Sequence, residues 1–221
     1  MISAELRRIL MRARTWLIAL AAVVVLAIAA FLTRTVVAPP TAQGTSPVQV
    51  QLAELPVKAQ HAMKGYSRDR FKHWITQGGG CDTREVVIER DGKDVKKDAA
   101  CKATSGHWTS PYDGKEVSKA TELDIDHMVP LAAAWRTGAD EWTDERRQQF
   151  ANDLTAPQLF AVSAASNRGK GDQDPSQWKP PAKTYWCTYA TNWVIVKHTY
   201  QLFVTQAEHD ALVDMLSSCP G

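Results

Sequence analysis

An apolar run from Trp16 to Leu32, WLIALAAVVVLAIAAFL, follows an arginine-rich start and limits what the rest of the chain can be. A basic flank before an unbroken apolar stretch is typical of a secretory signal peptide or an N-terminal membrane anchor. The run is longer than an ordinary signal-peptide core and at the short end for a membrane-spanning helix, so cleavage and retention both stay open. In either case the basic flank keeps the N-terminus inside, and the remainder of the chain is exported.

The composition then changes before the folded part begins. We assign residues 1–38 to the signal or anchor and residues 39–51, PPTAQGTSPVQVQ, to a linker rich in Pro, Thr and Gln. Residues 52–221 are long enough for one domain with its own core. The net charge of +2 is too small to indicate a nucleic-acid binder. It does not exclude an enzyme with a local basic groove.

The predicted domain contains four cysteines, Cys81, Cys101, Cys187 and Cys219. An even number in an exported chain predicts two disulfides. No two of them have CxxC spacing, which argues against a zinc ribbon. Of the possible pairings, Cys81 with Cys101 and Cys187 with Cys219 is favoured because each bridge closes a local loop. Each bridge would stabilise the fold by roughly 3 kcal/mol.

The sequence predicts a mixture of strands and helices. TREVVIER at 83–90 is rich in β-branched residues and predicts a strand, and GHWTSPYDGKEVS at 106–118 predicts a turn-rich ribbon. Thr143 can cap a helix, PQLFAVS predicts the next strand, and Ser163 can cap the helix that follows. Apolar spacing predicts a helical C-terminal third, with a capping box in TQAE at 205–208.

Residues 124–130, DIDHMVP, combine two acids and a histidine with a proline. In a strand, Asp124 and Asp126 share one face and His127 points to the other. Pro130 makes the chain leave the strand shortly after the histidine. An acid and a histidine therefore meet at the edge of an element, where sites are commonly built. A surface or capping pair is the ordinary alternative.

A second polar segment, SNRGKGD at 166–172, places Asn167 near the start of a short helix, although asparagine is a poor helix former. If the two flanking strands pair and this helix packs across them, Asp126, His127 and Asn167 converge. A carboxylate and an amide oxygen make a sparse site for a hard divalent ion such as Mg²⁺. The adjacent histidine can take a proton from an attacking water.

These segments resemble a known motif. DIDHMVP, ANDL at 151–154 and SNRGKGD resemble the ββα-metal (HNH) endonuclease motif, and the second half is similar to the HNH domain of RNA-guided CRISPR nucleases. The wider pattern includes CDTREV, GHWTSPYDG, LDIDHMVPLAAAW, FANDL and SNRGKGDQDPSQWKP. It resembles exported HNH nucleases of actinobacteria that are related to the C-terminal domain of GmrSD-type restriction nucleases. The resemblance covers residues 52–219.

The resemblance implies an α+β fold with a ββα-metal core at about 122–172, additional N-terminal strands and C-terminal helices. It implies that Asp126 and Asn167 bind the metal and that His127 is the general base. Asn152 would hold the loop and help to orient the histidine; a helix-ending asparagine in a left-handed conformation is equally compatible with that position. Asparagine in place of histidine at the last motif position favours Mg²⁺, with Mn²⁺ second, over Zn²⁺.

Two basic residues are candidate substrate contacts. Arg84, near a predicted disulfide, could bind a phosphate through two hydrogen bonds, or it could form a surface ion pair with Asp82 or Glu85. Lys170 lies one helical turn after Asn167 and could contact the substrate backbone, or it could be a solvated lysine.

The predicted function is an exported, metal-dependent endonuclease that hydrolyses DNA, with RNA as a further substrate. Low sequence specificity is expected, because no sequence-reading module is recognisable. Two alternatives stay open: a metal-dependent cell-wall hydrolase, which would need two or three histidines in metal spacing, and a non-catalytic surface-binding domain on the same fold. Nucleic acid is the predicted partner, together with the membrane if residues 16–32 are retained; no partner protein is evident.

Overall fold

The computed structural model describes residues 46–220 of the chain. The predicted signal or anchor, with its apolar run at 16–32, lies outside this range, and so does the first part of the predicted linker. Within the range, no helix is long and apolar enough to cross a membrane. Helices alternate with short strands, which confirms the predicted mixture of α and β structure.

Helix α1, Pro47–Glu54, includes the end of the segment that was predicted as linker. The Ser46 backbone N–H donates to the Gln49 side chain at 2.8 Å and so satisfies one donor at the start of this helix. Leu52 is buried in the main core, and Val48 packs against it. These residues are therefore part of the domain, because their apolar side chains pack in or against the main core.

Helix α2, Thr83–Asp91, replaces the strand that was predicted over 83–90. The Asp82 carboxylate accepts a hydrogen bond from the Glu85 backbone N–H at 2.9 Å and caps the helix. Val87 and Ile88 on one face are fully buried. The strand prediction was wrong because tertiary burial and a good cap outweigh the weak strand preference of β-branched residues.

A three-stranded antiparallel sheet follows, with strands β1 (Lys93–Lys97), β2 (Ala103–Thr109) and β3 (Glu116–Val117) in that order. Trp108 lies opposite Val117, which confirms the ribbon predicted over this segment. The indole N–H of Trp108 donates to the Ile88 carbonyl at 2.8 Å and joins the sheet to α2. This sheet supplies the additional N-terminal strands that were expected.

A second, two-stranded antiparallel sheet pairs β4 (Leu123–His127) with β5 (Leu159–Ser163). The connection between these strands contains α3 (Leu131–Arg136) and α4 (Asp144–Ala151), and α5 (Ala164–Lys170) follows β5 directly. The Ser163 hydroxyl accepts from the Ser166 backbone N–H at 3.3 Å, which confirms the predicted cap. The order strand, insertion, strand, helix is as predicted.

The C-terminal third is helical, as expected, with α6 (Trp186–Thr199) and α7 (Gln206–Leu216). Helix α7 begins with the predicted capping box, in which the Thr205 hydroxyl accepts from the Glu208 backbone N–H at 3.1 Å. The main core lies among α1, α3, α6 and α7. A smaller core fills the space between α2, the three-stranded sheet and one face of β4 and β5.

Two disulfides, Cys81–Cys101 and Cys187–Cys219, confirm the predicted pairing. The first joins the residue before the α2 cap to the turn between β1 and β2. The second joins the first turn of α6 to the end of the chain beyond α7. The first bridge therefore ties α2 to the three-stranded sheet, and the second ties α6 to the segment after α7.

Candidate active site

His127 is the last residue of strand β4, and its ring makes one hydrogen bond among the described residues, to a backbone carbonyl. Its Nε2 lies 3.0 Å from the Ala151 carbonyl oxygen at the end of α4. A carbonyl oxygen only accepts, so Nε2 carries the proton and Nδ1 is left as an acceptor. Burial lowers the pKa of His127 to about 3, which keeps the ring neutral at neutral pH. A neutral imidazole with a free Nδ1 is the form that can take a proton.

Trp74 packs on the face of the His127 ring. The two ring centroids are 5.5 Å apart and the planes differ by 26°. Trp74 has φ of 59°, a left-handed conformation that is costly for a bulky residue. Such backbone strain persists only where the surroundings hold it in place.

Asn152 provides that support. Its Nδ2 donates to the Lys72 carbonyl at 2.8 Å, and its Oδ1 accepts from the Ile75 backbone N–H at 3.1 Å. Asn152 therefore links Lys72 to Ile75, and Trp74 lies between these two residues in the chain. It also follows directly after Ala151, which binds His127. The left-handed alternative for Asn152 does not occur, since its φ is −125°.

Asp126 is buried, and only one of its carboxylate oxygens is used. Oδ2 accepts from the Tyr112 hydroxyl and from the Lys170 ammonium, each at 2.5 Å. Burial raises the pKa of Tyr112 well above its ordinary value, so this hydroxyl stays protonated and donates. Oδ1 accepts no hydrogen bond from any residue in the range 46–220, and Asp126 lines a cavity.

Lys170 was expected either to contact the substrate or to be solvated, but its side chain is buried. It is 0% exposed, and besides Asp126 its ammonium donates to the His127 carbonyl at 2.8 Å and the Met128 carbonyl at 3.0 Å. All three protons are thus used inside the protein. No proton of Lys170 is left for the predicted substrate contact, because this side of α5 faces strand β4 and not the solvent.

Asn167 lies one turn earlier on α5 and is half-buried. Its Nδ2 donates to Asp124 Oδ2 at 3.2 Å, and its Oδ1 accepts no hydrogen bond from the described residues. Asn167, Asp126 and His127 line one cavity of about 250 Å³. The structure therefore brings together the three residues whose convergence was predicted.

The oxygens in this cavity fit a hard divalent ion. Asp126 Oδ1 and Asn167 Oδ1 are of the kind that Mg²⁺ and Mn²⁺ prefer, and a small cavity leaves room for water and a phosphate oxygen. Between residues 46 and 220, no group of three or more His, Cys, Asp or Glu side chains is arranged to hold a metal. Asp126 and Asn167 each offer one cavity oxygen that could bind such an ion.

Arg84 does not line this cavity. Its guanidinium lies 2.9 Å from Glu85 Oε1 and 3.3 Å from the Ala120 carbonyl oxygen. The ion pair with Glu85, which was part of the alternative for this residue, is what the structure contains, and it is partly buried. The arginines that do line the cavity are Arg68 and Arg168.

Gln158 is a further residue that sequence reasoning missed. Its buried side chain accepts from the Val129 backbone N–H and donates to the Val129 carbonyl, both at 3.1 Å. Its own carbonyl accepts from the Met128 backbone N–H at 2.7 Å. Gln158 thus fixes the turn directly after His127. A polar residue just before the apolar strand LFAVS was the only available signal.

Comparison with known proteins identifies the family. Residues 83–215, more than half of the chain, match the family described as GmrSD restriction endonucleases, C-terminal domain. A protein of Arthroderma benhamiae named "Uncharacterized secreted protein" is 51% identical over 205 residues, which cover 93% of this chain and 98% of that protein. This relative does not support the expected actinobacterial grouping, and no solved structure matches the chain. The chain belongs to the family of GmrSD restriction endonuclease C-terminal domains.

Proposed function

We propose that the protein is an exported, metal-dependent endonuclease with a ββα-metal core that hydrolyses the phosphodiester bonds of DNA, and also of RNA, with low sequence specificity. One observation carries the proposal. A neutral His127 with a free Nδ1 shares a cavity with two uncommitted oxygens, on Asp126 and Asn167. Family membership adds support, since the family is described as the C-terminal domain of GmrSD restriction endonucleases.

In the proposed reaction, His127 is the general base. Its Nδ1 takes a proton from the water that attacks the phosphorus atom, while Nε2 keeps its proton and its bond to Ala151. Trp74 and the Ala151 carbonyl fix the ring, so little reorganisation is needed when the proton moves. Asn152 is a positioning residue, because it holds both the Trp74 segment and the end of α4.

Asp126 and Asn167 would hold Mg²⁺ or Mn²⁺ through one oxygen each. A bound ion of this kind stabilises negative charge on the phosphate and on the leaving oxygen. Lys170 already shares the charge of Asp126, so we expect weak binding and a need for free metal in solution. By resemblance to HNH nucleases, the products would carry a 5′-phosphate and a 3′-hydroxyl.

Export is supported by three observations. The relative from Arthroderma benhamiae is named as secreted, the domain contains two disulfides, and the sequence predicts a signal or anchor at its start. The predicted membrane contact falls on residues 16–32, which lie outside the described residues.

The test is cleavage of supercoiled plasmid and of single-stranded RNA by the purified protein. We expect cleavage with Mg²⁺, loss with EDTA and recovery when Mg²⁺ is added back. His127→Ala should lower the rate by about 10²- to 10⁴-fold, as expected for loss of a general base. His209→Ala is the control, because His209 lies on α7 and does not line the cavity.

Five outcomes would reject the proposal or part of it. Full cleavage in excess EDTA would show that no metal is required. Near-normal cleavage by His127→Ala would show that His127 is not the general base. Products with a 3′-phosphate reject the direction of attack. Absence of cleavage together with release of cell-wall fragments would favour the hydrolase alternative, and DNA binding without cleavage would favour the non-catalytic one.

A further inference from the structure

Two exposed arginines line the cavity that contains His127. Arg68 lies on a 3₁₀ turn, Arg68–Arg70, which begins where the Ser67 hydroxyl accepts from the Asp69 backbone N–H at 3.2 Å. The Arg68 side chain makes no hydrogen bond or ion pair with any residue in the range 46–220. Its guanidinium is therefore not committed to another part of the described domain.

Arg68 lines the same cavity as His127. Arg68 lies before the segment that matches the family, so family membership does not assign it a role.

Arg168 reaches the cavity from a different element, helix α5, next to Asn167. Its side chain is 77% exposed, and its nearest carboxylate is Asp124, 3.7 Å from Nε. That carboxylate already accepts from the Asn167 amide. A long, exposed ion pair of this kind contributes little to stability, so a phosphate can displace it.

Two other arginines of the domain, Arg84 and Arg136, are bound more firmly. Arg84 pairs with Glu85 at 2.9 Å, and Arg136 contacts both the side chain and the carbonyl of Asp172 at 2.6 Å. Arg68 and Arg168 are held less firmly than these two arginines, and both line the cavity where the proposed substrate would lie. The geometry of a guanidinium suits a phosphate, because its planar fork offers two parallel donors.

We propose that Arg68 and Arg168 bind the backbone phosphates on the two sides of the scissile phosphate. The inference rests on the proposed function and names the residues that recognise the substrate. Both contacts are to the phosphate backbone, which carries no sequence information, so they agree with low sequence specificity. They take the role that the sequence had suggested for Arg84 and Lys170.

The test measures binding of a duplex DNA oligonucleotide by fluorescence anisotropy, over a series of salt concentrations. The background is His127→Ala, so that the DNA stays intact. Arg68→Gln and Arg168→Gln should each weaken binding by about tenfold at low salt. Each should also reduce the slope of log K against log salt by about 0.9, the loss of one phosphate contact. Arg84→Gln should leave both quantities unchanged.

Lysine variants separate charge from geometry. Arg68→Lys and Arg168→Lys should keep the salt slope, because the charge remains, but should still weaken binding, because the fork is lost. In protein with an intact His127, the glutamine variants should raise KM for DNA and leave kcat nearly unchanged.

The outcomes distinguish this inference from the proposed function. If the wild-type protein cleaves DNA and both glutamine variants keep the full salt slope, the phosphate contacts are wrong and the nuclease proposal stands. If the slopes fall as expected but the wild-type protein does not cleave with Mg²⁺, the binding site stands and the nuclease proposal fails. If the wild-type protein does not bind DNA, both are wrong.

Discussion

Lys170 and Asp126 form a buried salt bridge in which Nζ lies 2.5 Å from Oδ2 and the side chains are 0% and 5% exposed. The lysine comes from helix α5 and the aspartate from strand β4, so the pair ties the helix to the sheet beside the cavity. Because the Tyr112 hydroxyl binds the same oxygen, Asp126 presents only Oδ1 to a metal. Partners of this kind orient metal ligands and tune their charge.

The first prediction concerns this pair. Lys170→Met should lower the free energy of unfolding by about 3–5 kcal/mol, because it leaves Asp126 buried without a counter-ion. Urea denaturation measures the change. Lys179→Met is the matched control: Lys179 lies 2.6 Å from Asp214, but the two side chains are 28% and 63% exposed. The control should cost less than about 1 kcal/mol, and equal losses for the two variants would contradict the prediction.

Much of the site could be predicted from sequence, because its parts have local signals. The acids and the histidine before Pro130, the cap at Ser163 and the short helix with Asn167 fix the order of elements, and alternation fixes the faces of β4. Whether a side chain is buried or exposed has no such local signal. Spacing placed Lys170 on the same side as Asn167, but only the packing of α5 on β4 shows that one is buried and the other faces the cavity.

The error at α2 has a similar origin. TREVVIER contains the β-branched pair Val86–Val87 and an isoleucine, which favour a strand when neighbours are unknown. The opposing signal, Asp82 followed three residues later by Glu85, was present in the sequence and marks a helix start. The contribution of Trp74 was hidden for another reason, since its contact with His127 joins residues that are far apart in the chain.

The second prediction tests Asn152 as a positioning residue. Asn152→Ala removes four hydrogen bonds and should loosen the segment that carries Trp74, so kcat should fall. The Mg²⁺ concentration for half-maximal rate should stay the same, because Asn152 does not line the cavity. Rates measured over a Mg²⁺ series separate the two quantities. A raised Mg²⁺ requirement with unchanged kcat would mean that Asn152 acts on the metal and not on the base.

The third prediction concerns Asn167 as a metal ligand. Asn167→Ala should raise the Mg²⁺ concentration needed for half-maximal cleavage, because a neutral oxygen ligand is lost. Asn167→Asp should lower that concentration, because the new carboxylate attracts the ion more strongly. The two shifts have opposite signs, so a general loss of structure cannot imitate them. Asp126→Ala is a poorer probe, since it also leaves the Lys170 ammonium buried without its partner.

The fourth prediction concerns acid stability through Asp113, whose Oδ2 accepts from the Ser163 hydroxyl at 2.5 Å and the Ser166 hydroxyl at 2.8 Å. Burial alone would raise the pKa of Asp113, but these hydrogen bonds, together with one from the Lys115 backbone N–H, outweigh it and bring the pKa below the ordinary value of 3.8. A carboxylate with a lowered folded-state pKa stabilises the fold above its unfolded pKa, and the stabilisation is lost as pH falls through the folded pKa.

Asp113→Asn removes this titration and keeps the size of the side chain, so its effect on stability should depend on pH. At pH 7 and pH 5 the wild-type protein should melt at a higher temperature than the variant, by an amount that is nearly the same at both values. The difference should shrink as pH falls below 3.8 and through the lowered folded-state pKa, where the wild-type carboxylate becomes protonated and resembles the neutral amide. Asp210→Asn is the control, since Asp210 is exposed on α7, and its effect should be small at every pH. A melting difference for Asp113→Asn that persists unchanged to pH 2 would show that the two serines respond to the shape of the side chain and not to its charge.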